Sequence, residues 1–228
     1  MTPVLIQAGG RGLRLHPLTD HNPKPLLKVG GKPILETIID GFAAQGFRRI
    51  WLSVHYRADL IKGHFGDGSE KGVKIKYLEE KSPQGTGGAL RLLPRWDKPF
   101  IVSNADVLTK INYGHLMEAH ARANVLATVC AGLYQQQIKY GVIDSEDGRL
   151  LRVREKPIEN FQVNAGIYVL EPDARDFAPE GPFDMTDLIE RLPQAGARAG
   201  AAVYPLTDYW CDIGGFEDYA RANAEWSH

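Results

Sequence analysis

Short apolar runs suited to buried strands alternate with segments of helical period along this chain, and that alternation points to a mostly parallel sheet covered on both faces by helices. The strand candidates are Pro3–Gln7, Ile50–Val54, Val73–Leu78, Phe100–Ser103, Val125–Leu133, Val163–Leu170 and Ala201–Pro205. The clearest helix is Pro33–Gly46: Pro33 suits its start, Leu35, Ile38, Ile39 and Phe42 recur at three-to-four spacing, and Gly46 suits its stop. Further helices are expected over Asp59–His64, Gly87–Leu93, Tyr113–Ala123 and Phe216–Ala224. From Val125 the pattern becomes mixed, because Tyr140–Ile143 and Leu150–Glu155 flank the turn signal Asp147-Gly148 and read as antiparallel strands.

With 228 residues, 43% of them hydrophobic, the chain can bury one sizeable core, and no repeat, low-complexity tract or Gly/Ser linker divides it. A single α/β domain over 1–228 is the expectation. A formal net charge of -1 without any long Lys/Arg run excludes the electrostatic footprint of a nucleic-acid binder. The opening apolar run is too short for a signal peptide, and no stretch approaches a membrane span, so a cytoplasmic protein with no membrane partner is expected. Cys130 and Cys211 match no metal or redox spacing and read as free thiols. His115 and His120, five apart, fall off a shared helical face, and no GxSxG surrounds any serine.

The chemistry concentrates where the first strand ends. Gly9, Gly10 and Gly12 follow it directly, at the edge where open α/β sheets bind ligands. Glycines there form either a tight turn or a cradle whose backbone N–H groups approach phosphate oxygens; Arg11, Arg14 and Lys24 supply positive charge and tip the balance to the cradle. Neither GxGxxG nor GxxxxGK[ST] is present, which disfavours a dinucleotide or P-loop site.

Other candidates stand at strand ends. Asp106 closes Phe-Ile-Val-Ser-Asn-Ala-Asp and Asp212 precedes the last helix; each is either a cap or a metal ligand. Glu155-Lys156-Pro157 is either a solvated strand end or an acceptor and cation for a phosphorylated sugar. Pro83-Gln84-Gly85-Thr86-Gly87-Gly88-Ala89 is either a helix entry with Thr86 as N-cap or a loop for a nucleobase edge, with Glu79 and Glu80 upstream able to accept from a purine amino group.

The stretch Ala8-Gly9-Gly10-Arg11-Gly12-Leu13-Arg14 through Pro23-Lys24-Pro25 to Leu35 closely resembles the opening signature of the sugar-1-phosphate nucleotidyltransferase family, and separated motifs continue the likeness in order to about Tyr219. The resemblance implies a Rossmann-like mixed, mostly parallel sheet, the nucleotide-diphospho-sugar transferase fold. It implies a triphosphate wrapped by Ala8–Leu13 and contacted by Arg14 and Lys24, and a nucleobase held by Gln84, Gly85, Thr86 and Gly88, with Glu79 beside it. Mg²⁺ would sit on Asp106 and Asp212, and Tyr140, Gly141, Glu155, Lys156, Asn164 and Gly166 would hold the sugar phosphate. Leu13 replaces the usual Thr and Ala105 the usual Gly. The closest likeness is to a compact mannose-1-phosphate guanylyltransferase-like module that in some relatives follows CBS domains. No left-handed β-helix extension is expected, and a homodimer is allowed without being required.

The implied reaction joins a nucleoside triphosphate to a sugar 1-phosphate, with GTP favoured and a uridylyltransferase on an amino-sugar 1-phosphate as the alternative. Two other readings share the pocket. A glycosyltransferase would carry Asp-x-Asp where this chain has Asn104-Ala105-Asp106, and a silent nucleotide sensor would not need the whole set Arg14, Lys24, Asp106, Lys156 and Asp212.

Overall fold

The structure, a computed structural model, describes residues 2–196 and 198–226. In chain order its elements are β1 (Pro3–Gln7), β2 (Lys28–Val29), β3 (Lys32–Pro33), α1 (Ile34–Ala44), β4 (Arg49–Val54), α2 (Ala58–Phe65), β5 (Lys74–Glu79), β6 (Phe100–Asn104), β7 (Val107–Thr109) and α3 (Tyr113–Ala123). The second half adds β8 (Ala127–Gln137), β9 (Val142–Glu146), β10 (Arg149–Arg154), β11 (Ile158–Leu170), α4 (Met185–Arg191), β12 (Ala201–Pro205), β13 (Trp210–Asp212) and α5 (Phe216–Glu225).

A seven-stranded sheet in the order β12-β8-β11-β6-β1-β4-β5 forms the spine. Strands β6, β1, β4 and β5 run parallel, whereas β11 is antiparallel to both β6 and β8. The alternation of side chains along β1 shows how one strand serves two cores. Val4 and Ile6 join the cluster under α1, α2, α3 and α5, while Leu5 joins the cluster under α4 and its neighbouring turns.

Helix α1 follows its sequence pattern closely. Ile34, Leu35, Ile38, Ile39 and Phe42 are buried, Pro33 lies at the N-cap rather than the first helical position, and Gly46 adopts φ +86 past the end. Phe42 stacks on Tyr113 of α3 with ring centres 4.1 Å apart, which ties the two helices together on one face.

Two expectations need correction, and one helix was not among them. Gly87–Leu93 is not an α-helix but a 3-10 turn over Gly88–Leu92, since two glycines enter it and Pro94 closes it. The strand expected over Val125–Leu133 runs to Gln137, because its later half pairs with the equally polar first half of β11 outside the core. Helix α4 went unread, although Asp184 three residues before Asp187 is a capping pattern: the Asp184 N–H donates to the Asp187 carboxylate at 2.8 Å.

Candidate active site

Strand β1 delivers the glycine loop to the carboxyl edge of the sheet. Gly12 is left-handed (φ +64), and a β-carbon there would lie 3.0 Å from the Cβ of Lys24 and 3.1 Å from the Cγ2 of Thr19. Only glycine lets the loop fold back against Lys24. The Thr19 hydroxyl donates to the Gly12 carbonyl at 3.0 Å and pins the bend. Leu15 is buried beneath it and anchors the 3-10 turn Leu13–Leu15, leaving Leu13 exposed and Arg14 on the wall of the cleft. Ala8, Gly10, Arg11, Gly12, Leu13 and Arg14 line a cavity of about 340 Å³, with Lys24 and Asp106 opposite.

Lys24 is only 7% exposed and its ammonium is ion-paired with the Asp106 carboxylate. A short ladder between β7 and β13 sets Asp212 opposite Val107, and the Ile213 N–H donates to the Asp106 carbonyl at 3.0 Å. Two carboxylates thus meet around one lysine. Burial pushes the Asp212 carboxyl up to about 6, the charge of Asp106 adds to that, and Lys24 and Arg14 partly offset it. Gly214 packs under Arg14: a β-carbon there would sit 3.0 Å from Nη1.

Two carboxylates short of positive charge, beside a phosphate-sized cavity, suit Mg²⁺, which takes one or two carboxylates and completes its shell with phosphate and water oxygens. Among the described residues no group of three or more His, Cys, Asp or Glu forms a denser cluster. His120 is buried packing, with Nδ1 2.8 Å from the Thr128 hydroxyl, and both cysteines are free and buried.

A second cavity of about 290 Å³ shares Gln7, Gly10 and Asp106 with the first, so the two form one cleft. Gln84, Gly85 and Thr86 line it as the sequence suggested, and so do Glu80, Asn104 and Asp184. Glu79 does not: it is ion-paired with Lys62 on the outer surface, because alternation along β5 turns it away, and Glu80 takes the inward place. The Ser53 hydroxyl donates to Glu80.

Thr86 does not cap its own turn either. Its N–H and hydroxyl donate to the Asp184 carboxylate at 2.8 and 3.1 Å, and its hydroxyl accepts from the Met185 N–H at 3.0 Å. Phe183 N–H donates to the Gln84 carbonyl and the Gly87 N–H to the Phe183 carbonyl, both at 2.9 Å. The loop is therefore clamped by the entry to α4. Gly88 is buried behind Gln84, where a β-carbon would come within 2.1 Å of the Gln84 Cβ.

The residues expected to hold the sugar phosphate divide into two groups. Asn164 and Gly166 lie in a bulge of β11 beside the cleft. Gly166 is left-handed (φ +71), its N–H donates to the Asn164 side chain at 3.0 Å, and a β-carbon there would strike Asn104 Nδ2 at 2.6 Å. Tyr140, Gly141, Glu155 and Lys156 instead sit on an arm formed by the outer ends of β8 and β11 and the β9–β10 hairpin, and none lines either half of the cleft. Tyr140 is 77% exposed, and Gly141 closely approaches Glu155, not the cleft. The reason is the length of β11: roughly 25 Å of extended chain separates Lys156 from Asn164.

The model of the family described as nucleotidyl transferase matches residues 3–228. The chain is 37% identical over 224 residues to a mannose-1-phosphate guanyltransferase of Yarrowia lipolytica, covering 94% of this chain and 61% of that protein. It is 31% identical over 230 residues to the mannose-1-phosphate guanylyltransferase of Mycobacterium tuberculosis, covering 97% and 64%. This chain thus spans under two thirds of either relative. The crystal structure of HddC from Yersinia pseudotuberculosis superposes with a TM-score of 0.77 at 27% identity, covering 100% of both chains, and HddC complexed with GMP-PN does so at 0.76 and 26%. The mostly parallel mixed sheet accords with these structural matches, and the chain belongs to the nucleotidyl transferase family.

Proposed function

We propose that the chain joins a nucleoside triphosphate to a sugar 1-phosphate, forming a nucleoside diphosphate sugar and releasing pyrophosphate. The observation that carries this reading is the convergence of Arg14, Lys24, Asp106 and Asp212 on the glycine-loop end of one cleft. An oxygen of the sugar phosphate attacks the α-phosphorus, a new P–O bond forms, the α–β anhydride bond breaks, and pyrophosphate departs opposite the attack. The attacking phosphate is already ionised near neutral pH, so no general base is needed; positioning and charge neutralisation supply the rate.

The glycine loop holds the triphosphate, and Arg14 and Lys24 offset charge that grows toward the departing pyrophosphate. Asp106 and Asp212 would hold Mg²⁺. When bound, the ion neutralises charge shared by the α-phosphate and its entering and leaving oxygens. Lys24, ion-paired with Asp106 on the cleft wall, presents its ammonium to the same cavity.

GTP is the favoured triphosphate. Glu80 offers an acceptor on the base side of the cleft, several relatives are named guanyltransferases, and a structural neighbour was solved with GMP-PN. A hexose, hexosamine or heptose 1-phosphate is the acceptor class. The test is pyrophosphate release from each of GTP, UTP, dTTP, CTP and ATP against glucose, mannose, glucosamine, N-acetylglucosamine and heptose 1-phosphates. Activity with one guanine pair is expected; turnover confined to UTP and an amino sugar would replace the guanine reading, and binding without any release would make the chain a nucleotide sensor.

A further inference from the structure

Gln7 breaks the logic of its own strand. Val4, Leu5 and Ile6 are wholly buried, and a leucine at the next position would continue the apolar run at no polar expense. The chain instead ends β1 with an amide, one residue before the glycine loop. In register, Gln7 lies between Ser53 of β4 and Asn104 of β6, at the middle of the parallel sheet. It also lines both cavities, so it stands at the seam between the phosphate half and the base half of the cleft.

Among the described residues its side chain makes one hydrogen bond: Nε2 donates to the Thr86 carbonyl, 79 positions along the chain. Among the described residues its Oε1 is buried with no partner. A buried, unpaired acceptor works against stability, so a polar residue there is not explained by folding. The bond it does make is explained by the loop it reaches. Residues 84–87 are held by Phe183, Asp184 and Met185 at the entry to α4, and Gln7 is a separate contact that ties them to β1.

We propose that Gln7 is a positioning residue for triphosphate binding: its amide straps the loop Gln84–Thr86 to the strand that carries the glycine loop, and so fixes the distance between the two ends of the nucleotide. The inference rests on the nucleotidyl-transfer reading. It names a residue acting through Thr86 rather than touching reacting atoms, and preorganisation of this kind acts on affinity because the loop's ordering is met before the ligand arrives.

The test compares the parent protein with Gln7→Met, which keeps length and loses hydrogen bonding, and uses two probes. GTP spans both halves of the cleft; inorganic tripolyphosphate occupies the phosphate half alone. Gln7→Met should weaken GTP binding by about tenfold, the weight of one well-placed hydrogen bond, while the affinity for tripolyphosphate stays unchanged. The melting temperature of the unliganded protein should hold or rise, since the substitution also removes the unpaired Oε1. Equal weakening of both probes would overturn the proposal in favour of a general packing role, as would GTP binding indistinguishable from the parent. If the parent itself bound no triphosphate more tightly than tripolyphosphate, the nucleotide reading would fail rather than the strap. Repeating the measurement with Gln7→Leu guards against a methionine-specific packing effect and should give the same split.

Discussion

The cleft and the arm hold the two halves of the expected substrate site and are built on opposite physical terms. In the cleft, Lys24 is buried, Gly12 and Gly85 adopt left-handed geometry against neighbours, and the base loop is hydrogen-bonded on both sides. On the arm, Leu133, Tyr140, Ile143, Leu150, Leu151 and Ile158 are each more than half exposed. Its ion pairs, Arg152 with Asp144 and Arg154 with Glu159, lie at the surface, where such pairs contribute little. The proposed triphosphate half is preorganised by the core; the proposed sugar half, as far as it depends on Glu155 and Lys156, is carried by an element with almost no core. The contrast predicts that damage in the cleft removes turnover or stability, while damage on the arm alters one substrate's affinity.

The largest effect is expected at the carboxylate pair. Asp106→Asn should lower the rate of pyrophosphate release by about 10²–10³-fold, comparable to the loss of one preorganised charge contact in other active sites. Release at the parent rate with every substrate pair would remove Asp106 from the chemistry and leave the charge neutralisation to Arg14, Lys24 and Asp212.

Stability separates the two regions next. Gly85 has φ +77, and a β-carbon there would lie 2.3 Å from the Phe183 carbonyl oxygen, so Gly85→Ala must both strain the backbone and push the clamp apart. A loss of about 2–3 kcal/mol, or roughly 6 °C in melting temperature, is expected. Gly148, in the hairpin turn, has nearly the same φ of +75 but nothing within 4 Å of its added carbon. Gly148→Ala should therefore cost only about 1 kcal/mol and speed hydrogen exchange within the arm alone. Equal melting shifts for the two variants would show that the clamp on the base loop is no tighter than a surface turn.

Sequence reading succeeded where periodicity and position carry the information. The strand run Pro3–Gln7, helix α1, the Asp147-Gly148 turn and the glycine loop follow from local pattern, since each needs only its own residues. Failures share a different cause. Glu79 and Glu80 are adjacent, and which one faces the cleft depends on register across β5, which composition does not reveal. Asp184 and Gln7 act on a loop about a hundred and about eighty residues away, and no local motif records such a contact. Lys156 stands in a Glu-Lys-Pro motif that local sequence shows, but the length of β11 decides where that motif sits.

On the arm, Lys156→Ala should raise KM for the sugar 1-phosphate by about tenfold, the loss of one charge-assisted contact, and leave KM for the triphosphate unchanged. Lys156 holds φ +44, and Lys and Ala both carry a β-carbon, so the substitution leaves the cost of that left-handed backbone unchanged. Unchanged KM values for both substrates would mean that the arm does not reach the sugar phosphate, and that the cleft alone, through Asn164 and Gly166, selects it.

The smallest effect concerns protons at Asp212. Its carboxyl titrates near 6 in the folded protein against an ordinary value of 3.8, because burial and Asp106 oppose its ionisation. A raised folded value favours the protonated native state, so this group's contribution to stability is present below pH 3.8 and is lost as pH rises through about 6. The metal-free protein should therefore lose part of its melting temperature between pH 5 and pH 7, and Asp212→Asn should flatten that slope. A divalent ion binds the ionised carboxylate, which reverses the trend: at pH 5 binding must displace a proton, and at pH 8 none is left to displace. Calorimetry of Mn²⁺ binding in two buffers of different ionisation enthalpy should read proton release approaching one per site at pH 5 and near zero at pH 8. Proton release that does not change between these pH values would place the ion away from Asp212. The carboxylate pair would then be an ion pair for Lys24 with a protonated neighbour, and the cleft would differ from the arm in packing alone.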